Sequence, residues 1–191
     1  TGIEPIVEIP GIKSPAKPEV KSKKDIIFTD SPYISSIDKK TIAFIESSLN
    51  PANIVKGKSP DRARGLFMFK PSRAKELGID DEKSLMEEDV QQNLFDKSIE
   101  ENFPILEQDL GKGNVTAFDI MMVHQQGLRG WRELRQFRSR KINDIKDDGI
   151  RNNVKNNLRP ETKRKGNKAT IEDFINDWKN HYNKIRKKYS K

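Results

Sequence analysis

The sequence predicts a mainly helical domain with little or no β-sheet. Apolar residues recur at helical spacing before Pro51 and after Thr170, and side chains that can cap helices stand in front of both segments. No segment has the pattern of a long strand, and no internal repeat is visible. With 191 residues, 33% apolar and 35% charged, the chain is long enough for one domain with a modest core and a heavily charged surface.

The first 27 residues differ in composition from the rest. They contain Pro5, Pro10, Pro15 and Pro18 and a lysine cluster, KSKK, without any helical or alternating apolar period. We interpret residues 1–27 as an extended arm or linker and residues 28–190 as the folded domain. The opening TGIEPIVEIP also lacks the apolar core of a secretion signal, and its first residue is not Met. We therefore expect no signal peptide and a chain that is processed or cut from a longer one.

The first predicted helix begins after Ser35, whose hydroxyl can cap it together with Asp38. Ile42, Ile45 and Leu49 follow at helical spacing, and Pro51 ends the pattern. Glu46 lies four residues after Ile42. This spacing places its carboxylate beside the apolar face near the end of the helix and not on the solvated back.

Four further helices are predicted, separated by loops. A short one is capped by Ser72 and stopped by Gly78, and a longer one covers residues 84–102 with a break at Pro104. Residues 116–126 form the next, with Thr116 and Asp119 as a capping pair. Thr170 caps the last helix, whose apolar face is formed by Ile171, Phe174, Ile175, Trp178, Tyr182, Ile185 and Tyr189.

The positive charge is concentrated in the C-terminal third. Residues 129–191 hold 20 Lys and Arg against 8 Asp and Glu, whereas residues 1–128 hold 17 against 21. A polyanion such as nucleic acid, anionic lipid or an anionic cell-wall polymer is the partner expected for such a surface. No apolar run approaches the roughly 20 residues of a membrane helix, so we expect no membrane span.

Residue types limit the chemistry of a site. The chain has no cysteine, which excludes disulfides, thiolate nucleophiles and cysteine-based zinc sites. His124 and His181 are the only histidines, which argues against a multi-histidine metal site or a Ser-His-Asp triad. We expect no metal and no organic cofactor, and hydrolytic chemistry would have to use carboxylates. A carboxyl group beside apolar side chains, as predicted for Glu46, can hold a proton for transfer to a glycosidic oxygen.

Three segments, IESSLNP, RARGLFMFKPSRAKELGI and VHQQGLRGWREL, resemble in order and spacing the soluble lytic transglycosylase and goose-type lysozyme family. The likeness is greatest to its bacteriophage virion-associated members. It covers residues 37–130, and NKATIEDFINDWKNHYNKI extends it to about residue 185. The resemblance implies a lysozyme-like fold of the α+β lysozyme superfamily, here with little sheet. It further implies an enzyme that cleaves peptidoglycan glycan strands as part of a phage particle, with other virion or tail proteins as partners.

The resemblance also implies roles for individual residues. Glu46 is the general acid and then the base, and Ser47 helps to hold the glutamate and the substrate. Gly65, Leu66, Phe67 and Met68 line the cleft, and His124, Gln125 and Gln126 contact the glycan. Met68 stands where many relatives have Gln, so the hydrogen bonding at that position is a departure.

For several of these residues an ordinary structural role is equally open. Ser47 could be a surface hydroxyl, Leu66 and Phe67 could belong to the core, and one of the two glutamines could cap the helix before Gly127. Ordinary glycosidases use two carboxylates roughly 5–10 Å apart. No second acid stands at a recognisable motif position, and five acidic residues are candidates by number only, more typical of loops and caps: Asp30, Asp61, Asp80, Asp81 and Glu82.

A single acid suffices if the 6-hydroxyl of muramic acid attacks within the substrate and leaves a 1,6-anhydro end, as in the resembled transglycosylases. Hydrolysis, as in goose-type lysozymes, is the alternative. A structural virion protein without activity is a second rival. A third is a basic nucleic-acid-binding protein that uses Trp131, Phe137, Trp178 and Tyr182 for stacking, although aromatic residues at helical spacing are more often core.

Overall fold

A computed structural model describes residues 26–56 and 58–191 of the protein. Over these residues the protein is mainly helical, as the sequence predicts, and β-structure is confined to isolated bridges. The bridges join Ile54 to Arg64, Arg64 to Phe69, and Lys141 to Thr170. Most of the predicted arm lies outside the described residues, but Ile26 already belongs to the buried core.

The α-helices are α1 (Ser36–Ser47), α2 (Pro71–Glu76), α3 (Glu88–Leu110), α4 (Ala117–Gln136), α5 (Asp148–Asn156), α6 (Pro160–Lys165) and α7 (Ile171–Tyr189). Single turns of 3-10 helix cover Ser84–Met86, Ile142–Asp144 and Gly166–Lys168. The sequence did not predict α5 and α6. Both are short, and they lie in the most basic part of the chain.

Local capping determines where α1, α4 and α7 begin. Ser35, Thr116 and Thr170 each accept a hydrogen bond from the backbone N–H three residues later, as predicted. At the last two positions the carboxylates of Asp119 and Asp173 also accept a hydrogen bond from the backbone N–H of the cap residue. These reciprocal bonds complete capping boxes. These starts depend only on neighbouring residues, which is why the sequence located them.

The end of α1 differs from the prediction. The helix stops at Ser47, and the next two residues, Ser48 and Leu49, adopt left-handed backbone conformations with φ of 57° and 60°. Leu49 is nevertheless buried, because the turn brings its side chain into the core. Glu46 is therefore the penultimate residue of its helix, beside a sharp change in chain direction.

The starts and breaks of two other helices also differ. Ser72 does not cap α2; Lys70 precedes the helix, Pro71 opens it, and Asp61 accepts hydrogen bonds from both the N–H and the hydroxyl of Ser72. Pro104 does not break α3, which continues to Leu110. The proline lies on the exposed face, where water can satisfy the carbonyl that loses its partner, while buried Leu106 keeps the helix on the core.

The C-terminal helix α7 packs against α1. Tyr182 and Arg186 of α7 both donate to the Asp38 carboxylate of α1, each at 2.5 Å. A second charged contact holds α1 against α3, where the fully buried ammonium of Lys39 lies 2.7 Å from the Asp96 carboxylate. The helix that carries Glu46 is thus fixed from two sides.

Candidate active site

A cleft of about 1000 Å³ opens between the end of α1, the turn of residues 64–69, and helices α3, α4 and α5. Glu46 lines it, together with residues that the sequence linked to the site: Met68, His124, Gln125 and Gly127. Further lining residues include Phe69, Lys70, Arg73, Asn102, Leu128 and Asn153. The cleft therefore brings together five segments of the chain, from the end of α1 to α5.

Glu46 is partly buried in the wall of this cleft. Its Oε1 accepts a hydrogen bond from Gln125 Nε2 at 3.1 Å, across 79 residues of sequence. An uncharged amide donor orients the carboxyl group and leaves its charge unchanged. A cationic partner would instead neutralise that charge. The motif segment that contains Glu46 and the segment VHQQG therefore meet at the Glu46 carboxylate.

Helix α4 changes direction immediately after Gln125 and Gln126. Gly127 has φ 71° and ψ 158°, far from helical values, and so it interrupts α4 between residues 117 and 136. A residue with a side chain rarely adopts this φ. The kink exposes the last turn of the first half of α4 to the cleft, where both His124 and Gln125 lie.

Ser47 lies next to Glu46 but does not line the cleft. It is buried, its hydroxyl donates to the Ala43 carbonyl at 2.9 Å, and its oxygen accepts from the N–H of Asn50 at 3.3 Å. These contacts close the last turn of α1 and fix the turn that follows. Its position supports the local backbone that carries Glu46.

Gly65 lies in a tight turn whose ends are joined by the hydrogen bond from Arg64 N to Phe69 O, 2.9 Å. Its φ is 84°, and a Cβ atom there would lie 2.4 Å from the side chain of Gln91. Gln91 is fully buried; it accepts from Phe67 N and donates to the Leu85 carbonyl. Gly65 thus makes room for a buried amide and does not line the cleft.

The apolar residues of the same turn divide between core and cleft. Leu66 and Phe67 are fully buried and belong to the core, where Phe67 stacks on Phe95 with ring centroids 4.1 Å apart. Met68 lines the cleft with an unusual φ of 54°, and its sulfur accepts from Asn53 Nδ2 at 3.4 Å. Of the two roles left open for Leu66 and Phe67, core packing describes their position.

His124 connects α4 to this turn. Its Nε2 lies 2.6 Å from the Phe67 carbonyl oxygen, and because a carbonyl only accepts, Nε2 carries the proton. The ring also packs edge-on against Phe69 and Phe95, with centroids 5.2 and 5.4 Å away. Gln126 points elsewhere: it is buried, does not line the cleft, and its amide has no hydrogen-bond partner among the described residues.

The acidic candidates for a second carboxylate are not in the cleft. Each makes a local contact at the surface, and their partners are Ser36 for Asp30, Ser72 for Asp61, Lys75 for Asp80, Lys83 for Asp81 and Arg64 for Glu82. The other acid that lines the cleft is Glu101, which pairs with Arg73. Within the described part of the chain, Glu46 is the cleft carboxylate without a cationic partner.

One wall of the cleft, formed by α5, was not predicted from the sequence. Asn153, Asn156 and Asn157 all line the cleft, and Asn153 Nδ2 donates to the backbone carbonyl of Gln125 at 3.0 Å. A signal was present, because i, i+3 and i+4 spacing places three side chains on one helix face. No clear helical period stands out there, because α5 is short and holds only two apolar residues, Ile150 and Val154.

Comparisons with protein-family models, curated proteins and solved structures gave no match to this chain. The motif resemblance therefore remains a prediction. In residues 26–56 and 58–191 no group of three or more acidic or histidine side chains is arranged to hold a metal ion. None of the helices in that same part combines the length and apolar character needed to cross a bilayer.

Proposed function

We propose that this protein has a lysozyme-like fold and cleaves the β-1,4 bond between N-acetylmuramic acid and N-acetylglucosamine in peptidoglycan. The observation that carries the proposal is the Glu46 carboxyl group, which lines a large cleft, contacts an amide and lacks a cationic partner among the described residues. The motif resemblance supports it independently, since it assigns Glu46, Met68 and Gln125 to one site from the sequence alone.

The chemistry follows from one acid and an intramolecular nucleophile. Protonated Glu46 gives its proton to the bridging oxygen, and the glycosidic bond breaks with positive charge developing on the muramic sugar. The 6-hydroxyl of the same sugar then attacks its C1 and returns its proton to the Glu46 carboxylate. The product is a 1,6-anhydromuramic end. No water is consumed, and no second carboxylate is needed.

Gln125 has a defined part in this scheme. Its amide N–H group is 3.1 Å from Glu46 Oε1, so it orients the carboxyl group and leaves the other oxygen for the glycosidic bond. The cleft volume of about 1000 Å³ lies at the upper end of the range for ligand sites, which suits an extended sugar chain.

Hydrolysis on the same fold is the second candidate. The specific observation in its favour is Glu101, a second acid in the same cleft, which could activate water if it left Arg73. The nucleic-acid alternative has less support, because Trp131, Trp178 and Tyr182 are buried and do not offer free faces for stacking bases.

The cellular setting is part of the same proposal. We propose a role as a virion-associated enzyme that opens the cell wall locally, with peptidoglycan glycan strands as substrate. The basic C-terminal region, with its 20 Lys and Arg against 8 acids, would draw the protein to anionic wall polymers.

The test is mass spectrometry of muropeptides released from purified sacculi by wild type, Glu46→Gln and Glu101→Gln. We expect 1,6-anhydromuramic ends from the wild type and a rate about 100- to 10,000-fold lower for Glu46→Gln, which cannot donate the proton. Glu101→Gln is the matched control and should keep most of the activity.

Other outcomes have definite meanings. Reducing ends, lost in Glu101→Gln, would replace the transglycosylase with a hydrolase. Equal release by wild type and Glu46→Gln would remove Glu46 from the mechanism, and no release by the wild type would favour a non-catalytic virion protein.

A further inference from the structure

We infer that Asn153 of α5 is a positioning residue that acts on Glu46 through Gln125. The inference rests on the proposed function for its catalytic consequence, but its structural part can be tested separately. It assigns a role to a helix that carries none of the motifs. It also explains why a polar helix face is turned toward the cleft.

Two consecutive hydrogen bonds link α5 to the proposed acid. Asn153 Nδ2 donates to the backbone carbonyl of Gln125 at 3.0 Å, and Gln125 Nε2 donates to Glu46 Oε1 at 3.1 Å. A carbonyl in the last turn before a helix break loses its partner within the helix, and Gly127 makes such a break two residues later. Asn153 supplies the missing donor and fixes the backbone from which the Gln125 side chain extends.

The amide of Gln125 depends on this backbone anchor. Its Oε1 is buried and accepts no hydrogen bond from any described residue, so the bond to Glu46 is the one polar contact of the side chain. A shift of the backbone at residue 125 would move this amide away from the carboxylate. A displacement of about 1 Å in a positioned group can cost much of a catalytic rate.

The donor itself is held in place. Asn157 Nδ2 donates to the carbonyl and the side-chain oxygen of Asn153, at 2.9 and 3.0 Å. Trp178 of α7 then donates from its indole N–H to the Asn157 carbonyl at 3.0 Å. The adjacent Val154 is fully buried. Helix α5 is therefore a fixed support and not a loose cover of the cleft.

The first experiment is a double-mutant cycle on purified glycan strands, with kcat and KM measured for Asn153→Ala, Gln125→Ala and the double variant. We expect Asn153→Ala to lower kcat about 5- to 10-fold, the worth of one hydrogen bond, with little change in KM. The double variant should be no slower than Gln125→Ala, because Asn153 acts only through that side chain. Asn152→Ala, at an exposed neighbouring position, is the matched control and should behave as wild type.

Losses that multiply in the double variant would overturn the inference, since they would mean an independent contact or a general loss of structure. Asn153→Asp provides a second variant of nearly identical shape that accepts but cannot donate, and it should lose as much as Asn153→Ala. A wild-type rate for Asn153→Asp would equally count against the role of the donor. Melting curves identify any variant that is merely unfolded.

The second experiment does not depend on activity. The side-chain amide resonances of Gln125, assigned by their loss in Gln125→Ala, should shift in Asn153→Ala and in Glu46→Gln and stay in place in Asn152→Ala. Unchanged resonances in Asn153→Ala would overturn the inference even if the protein is an active enzyme. Shifted resonances in a protein that releases no muropeptides would instead refute the proposed function and leave the positioning intact.

Discussion

Gly65 is required by the packing behind its turn and does not line the cleft. The motif assigned it to the cleft wall, but the space behind it is occupied by the buried amide of Gln91, which also bonds Phe67 N. Both the backbone angle and the missing side chain are therefore required by packing. Its influence on the cleft is indirect, through the turn that presents Met68 and Phe69.

We predict that Gly65→Ala destabilises the protein much more than Gly113→Ala. Both glycines have positive φ, 84° and 79°, which costs about 1–2 kcal/mol for any other residue. Only at Gly65 would the new Cβ also overlap its neighbours, the Gln91 side chain and the Leu85 carbonyl oxygen, and overpacking adds about 1–3 kcal/mol. Urea unfolding of both variants measures the difference. Equal losses would contradict the prediction, because both Gln91 and the Leu85 backbone would have to move aside freely.

The residues of the site show what a single sequence can and cannot reveal. Glu46 and Gln125 are 79 residues apart, and no local spacing could bring them together; only the motif resemblance did. For Leu66 and Phe67, an apolar side chain suits both a core and a sugar-binding wall. The residue type alone therefore could not distinguish core packing from a position in the cleft. Ser47 is a further case, because a helix serine that bonds the carbonyl four residues back looks identical in sequence to one that faces a ligand.

At the scale of helices, the contact between α1 and α3 rests on an asymmetric ion pair. The side chain of Lys39 is fully buried, whereas that of Asp96 is 31% exposed. Removing the aspartate leaves a buried ammonium without a counter-ion, while removing both leaves an apolar contact. Removing the aspartate alone should therefore cost much more stability than removing both partners.

We predict that Asp96→Ala destabilises the protein by about 3 kcal/mol, near the lower end of the range for breaking a buried pair. The double variant Lys39→Met with Asp96→Ala should recover most of this loss, because no unpaired charge remains inside. Chemical unfolding of the two variants provides the comparison. A double variant as unstable as Asp96→Ala would show that the packing of Lys39, and not its charge, is what matters.

Helix prediction succeeded where the cause is local and failed where it is not. The caps at Ser35, Thr116 and Thr170 involve residues three positions apart, so their geometry follows from the sequence itself. Helices α5 and α6 are 9 and 6 residues long, too short to be stable without tertiary contacts. Their stability comes from burial against α4 and α7, which no window of the sequence contains.

On the scale of the whole molecule, Asp38 joins the first helix to the last. Burial acts to raise the pKa of this carboxyl group, but hydrogen bonds from Arg186, Ser35 and Tyr182 outweigh it and hold the pKa below its ordinary value of 3.8. A carboxyl group whose pKa is lowered by folding stabilises the folded state at every pH above its pKa in the unfolded chain. That contribution is lost as the pH falls through the lowered folded value.

We predict that Asp38→Asn lowers the free energy of unfolding by about 2 kcal/mol at pH 7, since hydrogen bonds to a charged group are worth roughly that much. Between pH 7 and pH 3 the wild type should lose more stability than the variant, because the variant has no carboxylate to protonate there. Thermal unfolding at both pH values measures this. Asp144→Asn, at an exposed position, is the control, and a pH dependence of Asp38→Asn equal to that of the wild type would contradict the prediction.

The packing of α7 on α1 also has a consequence for the order of events during synthesis. Asp38 meets Tyr182 across 144 residues and Arg186 across 148, so the helix that bears the proposed acid emerges from the ribosome long before its support exists. Contacts of such separation form late in folding. A nascent chain would thus carry Glu46 without a rigid frame around it, and any activity that depends on this residue would begin only after translation has passed α7.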